Sequence, residues 1–229
     1  MRNNEGLLGT TAMAVAGILG GLAIVELVPM ITSVRLPGQM AWYGARAAGM
    51  VAYLLATASV LFGMAITTRL GGKLLGKANI ADTHRSLSLL TLVAIGAHTM
   101  FLALDRYAQF GPADLLVPFF TWYRTVWTGL GIIAAYLLIA IYASFYLRSI
   151  IGYKAWRAFH YASFGVFALG TVHGLFAGSD AGTTWALAIY GSCTASVLGM
   201  LAYRMSTRRT ASPARARQMQ SSTAQGEAA

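Results

Sequence analysis

Four histidines, His84, His98, His160 and His173, are the residues of this chain best suited to chemistry, and all four fall in two apolar stretches. His84 and His98 are 14 residues apart, and His160 and His173 are 13 apart. On a helix either spacing is about 20 Å of rise, so each stretch carries one imidazole near one end and a second near the other. If the two stretches run in the same direction, His84 faces His160 at one depth and His98 faces His173 at another. A haem iron takes four nitrogens from its own ring and needs two axial donors, a role that neutral imidazole fills well. The pattern predicts two ring-sized sites stacked along the membrane normal.

Iron held from both faces has no vacant position for oxygen or a substrate, so the chemistry to expect is outer-sphere electron transfer. A bare zinc or copper ion fits less well, because ligands about 20 Å apart along a helix cannot share one small ion. The competing reading is a transporter or membrane scaffold whose histidines pack between helices or conduct protons. Two pairs at nearly equal spacing, on helices of equal direction, favour ligation. One feature resists a straight-helix account. At 100° per residue, 14 steps return to within about 40° of the same face, but 13 steps end about 140° away. A bend, a local rewinding or an offset between the two sites is therefore expected in the second stretch, where Gly165 and Gly170 lie between the ligands. These glycines, and Gly96 in the first stretch, would let a flat macrocycle approach the backbone, although ordinary helix packing also uses glycine.

The elements that position these residues follow from composition. Of 229 residues, 57% are apolar and 10% charged, more oily surface than one soluble domain can bury. Apolar stretches long enough to cross a bilayer lie at about 8 to 31, 42 to 66, 84 to 104, 127 to 147, 158 to 177 and 183 to 203. None alternates polar and apolar residues as a membrane strand would. The expected fold is an all-α integral membrane protein, a bundle of six transmembrane helices over 8–205, preceded by a short segment at 1–7. The first stretch follows Arg2 as a secretory signal would, but it is longer than such signals and lacks a small-residue cleavage site after it.

With the N-terminus inside, thirteen Lys and Arg residues fall on the inner side, and only Arg35, Arg46, Arg106 and Arg124 on the outer. That bias places both termini in the cytoplasm and gives the formal charge of +10 a topological meaning. No segment interleaves basic and aromatic residues as a nucleic-acid surface would, so no nucleic-acid partner is expected. Trp42, Trp122, Tyr123, Trp127 and Trp185 gather toward the outer interface, Tyr153 and Trp156 toward the inner. The single cysteine, Cys193, excludes a disulfide framework, a thiolate cluster and covalent CxxCH haem, and reads as a packing residue. Residues 206–229 have too few large apolar side chains to pack and are expected to form a disordered basic tail near anionic headgroups.

The segment WYGARAAGMVAYLL at 42–55, His84 with His98, and GYKAWRAFHYASFGVFALGTVHGLFAGSD at 152–180 together resemble the ferric reductase-like transmembrane domain. That domain is shared by ferric reductases, NADPH oxidases and the membrane haem subunit of bacterial methionine-sulfoxide reductase systems. The resemblance covers about residues 42 to 203, and the spacings of 14 and 13 match its two-haem members. It implies two haem b groups, His84 and His160 ligating the inner and His98 and His173 the outer, in a bacterial-type cytoplasmic membrane. The reductases and oxidases carry a flavin and nicotinamide domain after the last helix, whereas this tail has no GxGxxG-type motif. The resemblance thus leans toward the stand-alone haem subunits, with a separate flavoprotein or quinol as donor and an extracytoplasmic acceptor. A quinol-oxidising cytochrome b also pairs histidines at such spacings, but its extra helices and quinone loops are not evident.

Haem propionates attract arginine. Arg46 is the candidate for the outer haem and Arg85 and Arg157 for the inner, with snorkelling to headgroups and the positive-inside bias as competing explanations. Glu26, inside the first apolar stretch, is a candidate for a proton path or quinone contact, against simple interfacial exposure. Asp105, Asp114 and Asp180 fall in outer loops, where they would bind a cationic acceptor or solvate the loop. The loop at about 105 to 126, with Pro112 and Pro118, is long enough to cover the outer site.

Overall fold

The computed structural model describes residues 39–68 and 77–226, with side chains in the second stretch from 79 to 207. The first expected span, with Arg2, Glu26 and Arg35, lies outside the described residues, as do Arg69 and Lys73. Among the described residues the fold is all helical, in seven elements: α1 Met40–Ala65, α2 Lys77–Leu104, α3 Pro112–Leu116, α4 Thr125–Ile151, α5 Tyr153–His160, α6 Ser163–Ala177 and α7 Thr184–Gly226. Among the described residues four stretches are long and apolar enough to cross a membrane: Met40–Ala65, Asn79–Leu104, Thr125–Ile151 and Thr184–Thr207. Their outward faces carry exposed Val51, Leu54, Leu90, Val93, Ile139, Leu187 and Leu198, side chains that only lipid would solvate.

Small residues decide which helices meet. On α1 a buried stripe of Ala41, Ala45 and Ala52 lets α2 lie close along its length. On α4, Gly129, Ala134 and Ser144 are buried toward its neighbours, and α6 is its main partner. Hydroxyls within these helices bond back to the preceding turn, as Thr57 does to the Tyr53 carbonyl at 2.8 Å and Thr171 to Phe167 at 2.8 Å, and so bring no unsatisfied polar group into the bundle. α1 also contacts α6 and α7. Its Tyr53 joins Met64, Phe167, Tyr190, Val197 and the free Cys193 in one buried cluster, so the cysteine is a packing residue as expected. The helix that carries His84 and His98, α2, hardly touches α5 and α6, which carry His160 and His173. A gap remains between them.

The stretch expected as a single span at 158–177 is two helices. α5 ends at His160, and the chain tightens through Tyr161 N–H to Ala158 O, Ala162 N–H to Phe159 O and Phe164 N–H to Tyr161 O before α6 begins at Ser163. Each of these bonds closes a three-residue turn, which advances 120° per residue instead of 100°. Three such steps take up about 60° of the 140° by which a straight helix would have misaligned His160 and His173. The rewinding expected from the 13-residue spacing is therefore present, but it falls directly after His160 and not at Gly165 or Gly170. α6 is also only 15 residues long. Gly152, at a φ of 83° that disfavours a side chain, ends α4 and turns the chain into α5.

The last helix runs beyond its expected end near 203. Its backbone is helical to Gly226. Ala, Arg, Gln and Met, all strong helix formers, are frequent there.

Candidate cofactor site at two histidine pairs

The structure brings the four histidines together in the two expected pairs. His84 and His160 have ring centroids 6.0 Å apart with planes at 80°, and His98 and His173 are 6.3 Å apart at 83°. A bond of about 2.0 Å from nitrogen to metal, plus roughly 1.1 Å from that nitrogen to the ring centre, sets two trans imidazoles about 6.2 Å apart. Both pairs stand at the separation that one metal ion between them requires.

Their hydrogen bonds fix which nitrogen is free. His98 Nδ1 lies 2.7 Å from the carbonyl of Ala45, His173 Nδ1 2.9 Å from that of Trp127, and His84 Nδ1 2.8 Å from that of Ser59. A carbonyl oxygen only accepts, so each Nδ1 carries the proton and donates it, and Nε2 keeps its lone pair. This is how a ligating histidine is normally oriented, the second nitrogen tied to a carbonyl or carboxylate. His160 differs. Among the described residues neither of its nitrogens has a protein hydrogen bond; its ring stacks on Trp156 with centroids 5.2 Å apart at 30°.

The three carbonyl anchors share a pattern that sequence reading missed. Four residues after each accepting carbonyl stands a glycine: Gly49 after Ala45, Gly63 after Ser59, Gly131 after Trp127. A Cβ on Gly49 would lie 3.0 Å from His98 Nδ1, one on Gly63 3.1 Å from His84 Cε1, and one on Gly131 would overlap the His173 ring. Each imidazole thus rests in a notch one helical turn past its carbonyl, where no side chain intrudes. The only sequence signal was that Gly49 and Gly63 are 14 residues apart, the interval between the histidines they seat. The carbonyls themselves leave no trace in residue identity. Gly96, Gly165 and Gly170, the glycines singled out in the sequence, face open space.

A cavity of about 210 Å³ surrounds the His98–His173 pair. His98 and His173 line it together with the apolar side chains of Met50, Ile95, Leu138, Val166 and Phe167, and Gly49, Gly131 and Gly170 open its walls. The loop at about 105 to 126 contributes Phe110 and Tyr123 to the lining, and neither Pro112 nor Pro118 reaches it. Among the described residues no group of three or more His, Cys, Asp or Glu side chains converges on one point. Two imidazoles alone make a sparse site for a bare ion, and a complete one for a metal that brings its own equatorial nitrogens.

The candidate arginines are placed as follows. Arg46 lines the outer cavity, but its guanidinium makes a two-pronged ion pair with Asp180 on the loop between α6 and α7, through Nε at 2.6 Å and also through Nη2. Arg85 lies over the Phe145 ring at 5.1 Å, with Asp82 3.9 Å away, and Arg157 donates to the Tyr153 hydroxyl at 3.3 Å. Asp105 and Asp114 hold their loop: Asp105 accepts the Ala108 N–H at 2.7 Å and Asp114 the Gly111 N–H at 2.9 Å. Asp180 is the acidic residue that reaches the site. Replacing it with asparagine leaves Arg46 without its counter-charge at the rim of the cavity. Since the pair is only part-buried, Asp180→Asn should cost about 1–2 kcal/mol, read as a fall of about 2–6 °C in the melting temperature of the detergent-solubilised chain. An unchanged melting curve would show the pair to be energetically idle.

No known family model matches this chain, and no curated protein or solved structure matches it either.

Proposed function

We propose that the chain is a di-haem b electron-transfer subunit of the ferric reductase-like kind, spanning the membrane six times with both termini in the cytoplasm. The observation that carries this reading is the pairing of four imidazoles at two depths, each pair spaced for one metal, three of the four with Nδ1 protonated toward a carbonyl. The six spans are the four long helices, α6, and the apolar stretch at about 8 to 31. Held between two imidazoles, haem b would supply a one-electron couple. His98 and His173 would hold the outer group and His84 and His160 the inner one.

The chain's own part is to fix the rings and keep the outer site dry. Carbonyls of α1 orient the rings of α2, and a carbonyl of α4 orients that of α6, so the helices opposite the gap set the ligand geometry. Largely apolar walls, Phe110 and Tyr123 among them, would limit water at the outer pair once the group is bound. Arg46, held at the rim by Asp180, is the cation best placed to turn toward a propionate there, and Arg85 is the nearest counterpart inside. A separate flavoprotein or quinol would deliver electrons, and an acceptor outside the cytoplasm would receive them. A haem-free scaffold accounts less well for the structure, because among the described residues no protein hydrogen bond engages any histidine Nε2, and such a scaffold gives the free lone pairs of His84, His98 and His173 nothing to do.

The direct test is a haem count. Purified full-length chain should carry two non-covalent haem b per polypeptide, with the low-spin spectrum of bis-imidazole iron in both oxidation states. A colourless protein that also fails to take up added haem would overturn the proposal.

A further inference from the structure

One polar atom next to the inner pair has no partner. The indole Nε1 of Trp156 is shut off from solvent and makes no hydrogen bond, the only buried side-chain nitrogen or oxygen among the described residues in that state. A tryptophan anchoring the chain at the membrane interface would present this N–H to water or headgroups. Here the nitrogen is enclosed while the ring lies against His160, 5.2 Å from its centroid at 30°, with Phe145 at 6.3 Å and Tyr153 at 5.7 Å. A buried donor left unsatisfied is costly, so its presence beside a ligand histidine calls for an acceptor that arrives with the bound group.

The surroundings give the charge of that acceptor. Phe145, which packs edge-on against Trp156, has the guanidiniums of both Arg85 and Arg148 over its ring, at 5.1 and 4.4 Å. Among the described residues Arg148 has no carboxylate partner, and Arg85 has only the exposed Asp82 at 3.9 Å. The third inner cation, Arg157, is one residue from Trp156. An unpartnered N–H donor next to a ring overlain by two guanidiniums without a close carboxylate fits an anionic oxygen, and a macrocycle held by His84 and His160 would bring carboxylates on its edge.

We propose that Trp156 Nε1–H donates to a carboxylate of the group bound at the inner histidine pair, and so helps to select a porphyrin that bears free acid side chains. The proposal rests on the electron-carrier reading given above. It also accounts for the difference between His160 and the other three histidines: its ring is steadied by the Trp156 face in place of a carbonyl, and the same indole binds the periphery of the group that His160 would ligate.

The test uses full-length His98→Ala chain, in which only the inner pair is complete, loaded in detergent with iron protoporphyrin IX or with its dimethyl ester. The unaltered Trp156 should retain the free acid more tightly than the ester, and Trp156→Phe, which keeps a ring for the stack but has no N–H, should cut that preference by about tenfold. Trp156→Phe should also lower the midpoint potential of the acid-loaded chain, because a carboxylate that loses its donor leaves more negative charge near the iron. A preference unaltered by Trp156→Phe overturns this inference alone, as does equal retention of acid and ester by the chain with Trp156 in place. Retention of neither form by either chain overturns the electron-carrier reading, and this inference with it.

Discussion

Changing His98 to alanine should halve the haem content of the purified chain, from two per polypeptide to one, and leave the remaining haem low-spin. His173→Ala should give the same count and the same surviving spectrum, because the two rings form one pair at 6.3 Å. His84→Ala and His160→Ala should remove the other haem. The effect should be large because a single remaining imidazole would offer the group one protein donor where the pair offers two, and the lost side chain leaves a void in an apolar cavity. Double replacement within a pair should be no worse than either single change, whereas one replacement from each pair should yield a colourless protein. Spectra in which His98→Ala and His173→Ala remove different haems would sink the pairing.

Alanine at Gly131 should be nearly as damaging as loss of His173 itself. The new methyl would occupy the space of the imidazole, lying 2.7 Å from its Cγ, so the ring must leave its seat and with it the bond to the Trp127 carbonyl. Loss of such an orienting bond commonly costs 10- to 100-fold in affinity for a bound metal, and a displaced ring adds to that. The outer haem should therefore be lost or converted to a high-spin form while the inner one stays. Alanine at Gly49 or Gly63, whose added methyls would lie 3.0 and 3.1 Å from the rings of His98 and His84, should weaken the outer and inner sites by less. Gly165→Ala, in open space between the two ligands of the second stretch, is the control and should keep both haems. If Gly131→Ala binds the outer haem as well as Gly165→Ala does, the notch is not what seats His173.

These two experiments probe parts of the site that differed in how far they could be read in advance. The histidines were legible because imidazole is scarce in membrane helices and because a 14- and a 13-residue interval translate directly into depth. Their partners across the gap followed from helix direction, which the charge bias supplies. The anchors could not be read. A backbone carbonyl belongs to every residue, and what makes those of Ala45, Ser59 and Trp127 special is that a ring from another helix reaches them. Gly131 looked like any small residue in a membrane helix. Asp180 looked like a loop acid until the chain returned it to Arg46, 134 positions earlier.

The break after His160 shows the same division more sharply. Sequence periodicity exposed a mismatch of about 140° and hence a need for rewinding, but glycine content pointed to the wrong place for it. The fold placed the tightened turn at Tyr161 and Ala162, which are not glycine, between the end of α5 at His160 and the start of α6 at Ser163.

By itself, the amino-acid sequence determined the apolar helices, their all-α class, and the two depths at which imidazoles would lie, since these depend on hydropathy and a fixed rise per residue. Tertiary structure alone decided that α2 and α6 stand apart across a gap, which ring nitrogen is left free, and where an unpartnered indole N–H sits. Those properties arise from contacts between residues distant in the chain. No local rule of spacing or propensity encodes them.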